Sequence, residues 1–207
     1  MSGRGIFVTG TDTDVGKTWV ATRLLKLLGQ QGFRSSGMKP IECGGREDSS
    51  ALLAASSVGD LDLDQVNPVT ISEPLAPAAS SDQVSIDFDR VGESYLGLAL
   101  KSDWVVVEGA GGWLVPVDAQ RSMADLAVSL DLPVVVVAAN RLGVLNHTLL
   151  TLKAIESVGL PCCGVFLNTI NESDLSIQTN ARVLRASAPF IRVIDDDLSE
   201  LVSLLTE

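Results

Sequence analysis

The segment Gly10-Thr11-Asp12-Thr13-Asp14-Val15-Gly16-Lys17-Thr18 constrains this chain more than any other. It follows a short apolar run, Ile6-Phe7-Val8, and leads into a helical pattern from Trp19 to Leu28. Strand, tight loop, helix is the arrangement of a phosphate-binding loop, and each residue type has a physical task in it. Gly16 lets the backbone turn its N–H groups toward an anion, and the helix start brings the positive end of its dipole to the same point. Lys17 adds a point charge for the outer phosphates, and the Thr18 hydroxyl is a ligand for Mg²⁺. The strict pattern G-x-x-x-x-G-K-[ST] is missed by one residue: five residues separate Gly10 from Gly16, so Thr11 holds the place of the first glycine. G-K-T alone says little. Behind an apolar strand and ahead of an amphipathic helix, it predicts a nucleoside triphosphate site.

Beyond the loop, apolar β-type runs alternate with helical patterns. Strands are expected at Ile6–Thr9, Ser36–Lys39, Trp104–Val107, Pro133–Ala139, Cys162–Leu167 and Phe190–Ile194. Helices are expected at Trp19–Leu28, Ser49–Ser57, Phe88–Lys101, Met123–Leu130, Asn146–Val158, Leu175–Ala186 and Leu198–Leu205. Val134-Val135-Val136-Val137 reads as a strand buried on both faces. Asn67 to Ala79, with Pro68, Pro74 and Pro77, reads as an irregular loop. The expectation is an α/β fold of the P-loop NTPase type over residues 1–207 as one domain, its mainly parallel sheet covered by helices on both faces. In such sheets ligands sit at the carboxyl ends of the strands. Five polar or glycine-rich segments follow strands here: the phosphate loop, Lys39–Gly45, Glu108–Trp113, Asn140–His147 and Asn168. All five are expected on one rim.

Composition narrows the partners. With 207 residues, 46% of them hydrophobic, the chain has enough apolar material for a core. A net charge of −11 argues against nucleic acid or an anionic membrane as the main partner, because both need clustered Lys and Arg. No apolar run approaches the roughly 20 residues of a membrane span. Met1-Ser2-Gly3-Arg4-Gly5 passes directly into the first strand without a signal-peptide apolar region, so a cytoplasmic location is expected. Cys43, Cys162 and Cys163 have no metal-binding spacing, and Cys43 has no obvious base beside it, so neither a zinc site nor a thiol nucleophile is expected.

Several residues on the rim could carry chemistry. Glu108 ends a buried strand, where P-loop proteins place a carboxylate near Mg²⁺. Gly109, Gly111 and Gly112 leave room for a substrate beside it. Lys39, also at a strand end, could neutralise charge on a transferring phosphoryl group. Asp48, just ahead of the expected helix, could cap it or bind Mg²⁺. Backbone N–H groups around Asn146 could hold a carboxylate, whereas His147 has no acid or nucleophile beside it and reads as structural.

Taken in order, the segments GTDTDVGKT at 10–18, MKP at 38–40, NP at 67–68, EPLAP at 73–77, VEGAGGWLVP at 107–116, LPVVVV at 132–137 and LGVLNHTLLT at 142–151 resemble the dethiobiotin synthetase family. The lengthened phosphate loop is itself a trait of that family. The resemblance implies an ATP- and Mg²⁺-dependent ligase that closes a urea ring from 7,8-diaminopelargonate and CO₂ through a carbamate and a carbamic–phosphoric anhydride. It implies that Asp14, Val15, Gly16, Lys17, Thr18 and Trp19 lie along ATP. Thr18, Asp48 and Glu108 would surround Mg²⁺, and Lys17 and Lys39 would stabilise the transferring group, with Lys39 the catalytic lysine. Thr13 and Cys43 would touch the diamine or its carbamate. Glu108, Gly109, Ala110 and Gly111 would border the nucleotide, and Asn168 would read adenine. Gly143, Val144 and Asn146 would hold the substrate carboxylate across a homodimer interface.

Three departures stand out. Cys43 replaces a hydroxyl residue, Asp48 lies beyond a loop of variable length, and Arg192-Val193-Ile194-Asp195 lacks the family's Gly-x-x-Pro near the base, which implies loose base selectivity. A partition- or septum-type ATPase switch is the main alternative, although such loops carry an early lysine that Gly10-Thr11-Asp12 lacks. An amidotransferase-type ligase would need a glutaminase domain for which 207 residues leave no room.

Overall fold

In the computed structural model, residues 4–81, 86–170, 173–195 and 197–206 are described. Met1 to Gly3 of the N-terminal stretch considered above therefore lie outside the described residues.

Six parallel strands form the main sheet in the order β2-β5-β1-β6-β7-β8, with β1 at Arg4–Gly10, β2 at Ser35–Met38, β5 at Trp104–Gly112, β6 at Val134–Ala139, β7 at Cys162–Asn168 and β8 at Val193–Ile194. Side chains alternate between its faces, and both faces are apolar. Phe7, Val105, Val107, Val134, Val136, Val165 and Leu167 join one core with α4 (Phe88–Lys101), α5 (Met123–Leu130), α6 (Val144–Ser157) and α7 (Ile177–Ser187). Ile6, Val8, Val106, Val135, Val137 and Phe166 join the other with α1 (Lys17–Gln30) and α8 (Ser199–Thr206). Period-2 alternation combined with two buried faces explains why these strands read as continuous apolar runs.

Several elements differ from expectation. β3 (Ile41–Cys43) and β4 (Val69–Ile71) pair in parallel as a second, two-stranded sheet, where the sequence suggested only loops. Each is three residues long, too short to show a period, and their pairing is non-local. Between them lie α2 (Glu47–Ala55) and the one-turn α3 (Leu63–Val66), the latter fixed by a reciprocal Asp62–Gln65 capping box. β5 runs past Val107 to Gly112, where Gly112 pairs with Gly10 after a shift in register and Gly111 takes a left-handed φ of 63°. At the far edge the strand expected over Phe190–Ile194 shrinks to Val193–Ile194, and Phe190 is exposed.

Candidate active site

The C-terminal ends of β1, β2 and β5 meet at a cleft of about 800 Å³. The phosphate loop forms its floor, Lys39 and Glu108 one wall, and Pro74 to Pro77 part of its rim. The loop's shape comes from two left-handed residues, Asp14 at φ 54° and Gly16 at φ 92°, the second of which caps α1 without any side chain. Val15 is buried and anchors the loop, and the Asn168 amide nitrogen at the end of β7 donates to the Val15 carbonyl at 3.0 Å. Asn168 thus supports the loop from behind.

Inside the cleft, charges are packed closely. The buried Lys39 ammonium donates to Asp48 at 2.7 Å and to Glu108 at 2.6 Å. Thr18 Oγ1 donates to the same Glu108 oxygen at 2.8 Å. Glu108 is fully buried, and its second oxygen, Oε2, has no hydrogen-bond partner among the described residues. Burial works against the Lys39 charge, but Glu108 and Asp48 overcome it and hold the ammonium's pKa above the ordinary lysine value. Burial also pushes the Glu108 carboxyl up, opposed chiefly by Lys39. At Asp48 burial is outweighed by Lys39, which holds that carboxyl low.

Lys17 donates to the Asp12 carbonyl at 2.8 Å, and burial, with the nearby Lys39 charge, brings its pKa down to about 8. A lysine depressed on folding weakens the fold while charged. The penalty is full below about pH 8 and disappears as pH rises toward 10.5. From 10.5 to about 8 the shift corresponds to about 3 kcal/mol, part of which the Asp12 bond offsets. The ligand-free Lys17→Met variant is therefore expected to be at least as stable as the parent at pH 7 in chemical denaturation, while losing turnover with ATP. A Lys17→Met protein clearly less stable than the parent would refute this account of the burial cost.

Asp48 owes its position to Glu42, a residue the sequence left without a role. Glu42, on β3 and buried, accepts from the backbone N–H groups of Asp48 at 2.7 Å and Ser49 at 3.0 Å. It closes the first turn of α2 from outside, so Asp48 lies within the helix rather than ahead of it. The only signal in the sequence was an acidic residue inside the Lys39–Gly45 segment; its partner N–H groups lie six and seven residues on.

Of the remaining sequence-selected residues, Thr13, Asp14, Gly16, Cys43, Ala110 and Gly111 line the cleft. Burial pushes the half-buried Cys43 thiol up, as suits a packing group rather than a nucleophile. Gly109 does not border the cleft: a Cβ there would meet Phe7 at 3.0 Å and Met123 at 3.3 Å in the core. Its extended backbone turns it to the face opposite Glu108. Trp19 also stands away from the cleft, exposed and stacked on Phe166. Gly143 (φ 92°) caps α6, Val144 is buried, and Asn146 is exposed; none of the three reaches the cleft of its own chain. His147 lies beside them at a smaller hollow shared with Thr11 to Thr13 and Trp113 to Pro116.

The cleft so built is that of a P-loop protein, and relatives agree. A family model described as an AAA domain matches residues 4–195. The ATP-dependent dethiobiotin synthetase BioD of Akkermansia muciniphila is 39% identical over 193 residues, covering 91% of this chain and 90% of that protein. The protein of the same name from Anaeromyxobacter dehalogenans is 46% identical over 184 residues, covering 86% and 82%. Among solved structures, a ParA family ATPase from Chlorobium tepidum superposes with a TM-score of 0.58 at 17% identity, covering 99% of this chain and 90% of that one. The septum site-determining protein MinD of Pyrococcus horikoshii, complexed with Mg-ADP, gives 0.54 at 18% identity, covering 97% and 85%. Those last two likenesses speak for the fold alone. Near-full-length identity of 39% and 46% decides the rest: this chain belongs to the ATP-dependent dethiobiotin synthetase family and is an enzyme of the ligase class.

Proposed function

We propose that this chain closes a urea ring on 7,8-diaminopelargonate, using CO₂ and ATP and releasing dethiobiotin, ADP and phosphate. One amine takes up CO₂ and loses a proton to become a carbamate. A carbamate oxygen attacks the γ-phosphorus as ADP leaves, giving a carbamic–phosphoric anhydride. The second amine then attacks the carbonyl carbon, and phosphate departs. The sequence of steps needs close placement of two amines and neutralisation of phosphoryl charge, and no covalent nucleophile on the enzyme.

The observation that carries this reading is Lys39, held as an ammonium between Asp48 and Glu108 at the wall of the phosphate-loop cleft. Lys17 and Lys39 are the two positive charges that would face the transferring group. Thr13 and Cys43, on the cleft wall, would touch the diamine or carbamate. Asp14 to Thr18, Ala110 and Gly111 would border the nucleotide.

The donor set also fits Mg²⁺. Thr18, Asp48 and the fully buried Glu108 bring a hydroxyl and two carboxylates together, and Glu108 Oε2 is an oxygen without a hydrogen-bond partner. Among the described residues no three His, Cys, Asp or Glu side chains are grouped so as to hold a metal ion by themselves, so such an ion would depend on phosphate and water oxygens as well, which is Mg²⁺ habit. Bound there, it would supply charge neutralisation at the phosphate oxygens.

A homodimer would bring Gly143, Val144 and Asn146 of one subunit to the substrate carboxylate of the other. The exposed Leu114, Leu142 and Leu150 support such an apolar contact. Among the described residues no helix is long and apolar enough to cross a membrane, and a cytoplasmic location is part of this proposal. The partition-type alternative has only distant fold likeness behind it, at 17% and 18% identity.

Phosphate release with ATP, Mg²⁺ and bicarbonate, measured with and without the diamine and with mass detection of product, tests the whole reading. Strict dependence on the diamine, with dethiobiotin formed, is expected. Diamine-independent release without product would overturn it in favour of an ATPase switch.

A further inference from the structure

Trp19 has no task in the cleft chemistry above, yet its setting is unusual for a tryptophan. It directly follows Thr18 as the third residue of α1 and is 54% exposed, whereas Trp104 and Trp113 are each 3% exposed. One face of its indole rests on Phe166, with ring centroids 6.0 Å apart and planes 28° from parallel. Phe166 is itself buried in the core shared by α1 and the sheet. The opposite indole face is thus presented outward on a firm backing, which reduces the conformational entropy a bound aromatic group would otherwise have to overcome.

Strand order says which end of a nucleotide reaches this place. β1, carrying the phosphate loop, lies between β5 and β6. Lys39 and Glu108 belong to the β2–β5 side; Phe166 and Asn168 belong to β7 on the other. A nucleotide whose terminal phosphate meets Lys39 and Glu108 has its base at the opposite end of the phosphate chain. That end leaves the loop toward β6 and β7, where Trp19 stands.

Asn168 can offer a base edge its amide oxygen only. Its amide nitrogen already donates to Val15 at 3.0 Å, whereas two-point reading of adenine by an asparagine uses both the amide nitrogen and the amide oxygen. Stacking has no such requirement, because every base offers a π-face.

We infer that the exposed face of Trp19 is the platform on which the nucleotide base stacks, so that this chain holds its base by stacking more than by edge hydrogen bonds. The inference rests on the ATP-using reading above and specifies its base subsite. Selectivity among purine nucleotides is then weak, and the phosphate loop supplies affinity common to all of them.

Calorimetric titration of the full chain with ATP, GTP and inorganic tripolyphosphate tests this, with tryptophan emission followed in parallel. Trp19→Ala is expected to weaken ATP and GTP alike by about tenfold while leaving tripolyphosphate binding unchanged, and Trp19→Phe to stay within about threefold of the parent. Nucleotides should quench the parent's emission, and Trp19→Phe should lose that quench. In turnover the Trp19→Ala loss should fall on KM for ATP rather than on kcat. Unchanged ATP affinity in Trp19→Ala would overturn the inference. So would an equal loss for tripolyphosphate, which would assign Trp19 to the helix start, or a parent that binds GTP more than about 30-fold worse than ATP, beyond what stacking alone distinguishes. Binding that follows the stacking pattern without diamine-dependent turnover would uphold the platform and overturn the ligase reading.

Discussion

Lys39→Ala is expected to lower the rate of dethiobiotin formation by about 100- to 1,000-fold, the usual consequence of removing one charge-stabilising donor from a preorganised site. The same change should damage the fold in a pH-dependent way. Lys39 is the ammonium partner of Glu108, which is fully buried and already has one oxygen without a hydrogen bond. Removing one member of a buried pair costs about 3–5 kcal/mol when the other stays charged. Glu108 escapes that cost by taking up a proton, so its carboxyl in the variant is raised still further above 4.5. A carboxyl raised on folding weakens the fold above its unfolded pKa, so the variant's deficit is small near pH 4.5 and grows as pH rises. Asp48, partly exposed, regains water and adds little. Denaturation of Lys39→Ala at pH 5 and pH 8, beside the parent, should show the larger gap at pH 8. Adding Glu108→Gln should narrow that gap without restoring turnover. A folded Lys39→Ala protein with near-parental activity would remove Lys39 from the mechanism.

Gly16→Ala is expected to weaken ATP binding by about 100-fold, equivalent to roughly 3 kcal/mol. Two causes act together. At φ 92° a Cβ is strained by roughly 1–2 kcal/mol. That Cβ would also collide with the Asn168 amide nitrogen, so Asn168 must give up its bond to the Val15 carbonyl. The loop then loses its brace on the β7 side, and its N–H groups no longer converge on one point. Thermal unfolding should move far less than ATP affinity, because the strain is confined to one turn. Calorimetric titration of the nucleotide would decide it: parental affinity in Gly16→Ala would mean that this loop tolerates a side chain and that its shape is not what binds phosphate.

Much of this protein is legible residue by residue. Ile6 to Val8 followed by Gly16-Lys17-Thr18 specifies strand, loop and helix. Val134 to Val137 announces a strand covered on both faces, as the structure has it. These readings succeed because the signal is local: a repeat of side-chain type, or a glycine where only glycine avoids strain. The family likeness rests on the same kind of local string. Other features depend on partners distant in the chain. β3 and β4 are three residues each and exist only because Ile41–Cys43 finds Val69–Ile71. Glu42 acquires a role only when α2 turns its first N–H groups back toward it. Gly109 looks like part of the same open rim as Gly111, but the pleat of β5 faces it into the core against Phe7 and Met123. The Lys39 ammonium lies between carboxylates 9 and 69 residues away, and Trp19 leans on Phe166, a residue of another strand. Backbone preference and hydrophobic period belong to a few neighbouring residues and are written in the sequence. Burial, pKa shifts and the choice of partner arise from the sheet order β2-β5-β1-β6-β7-β8, which sets distant segments side by side and which no short stretch of this chain encodes by itself.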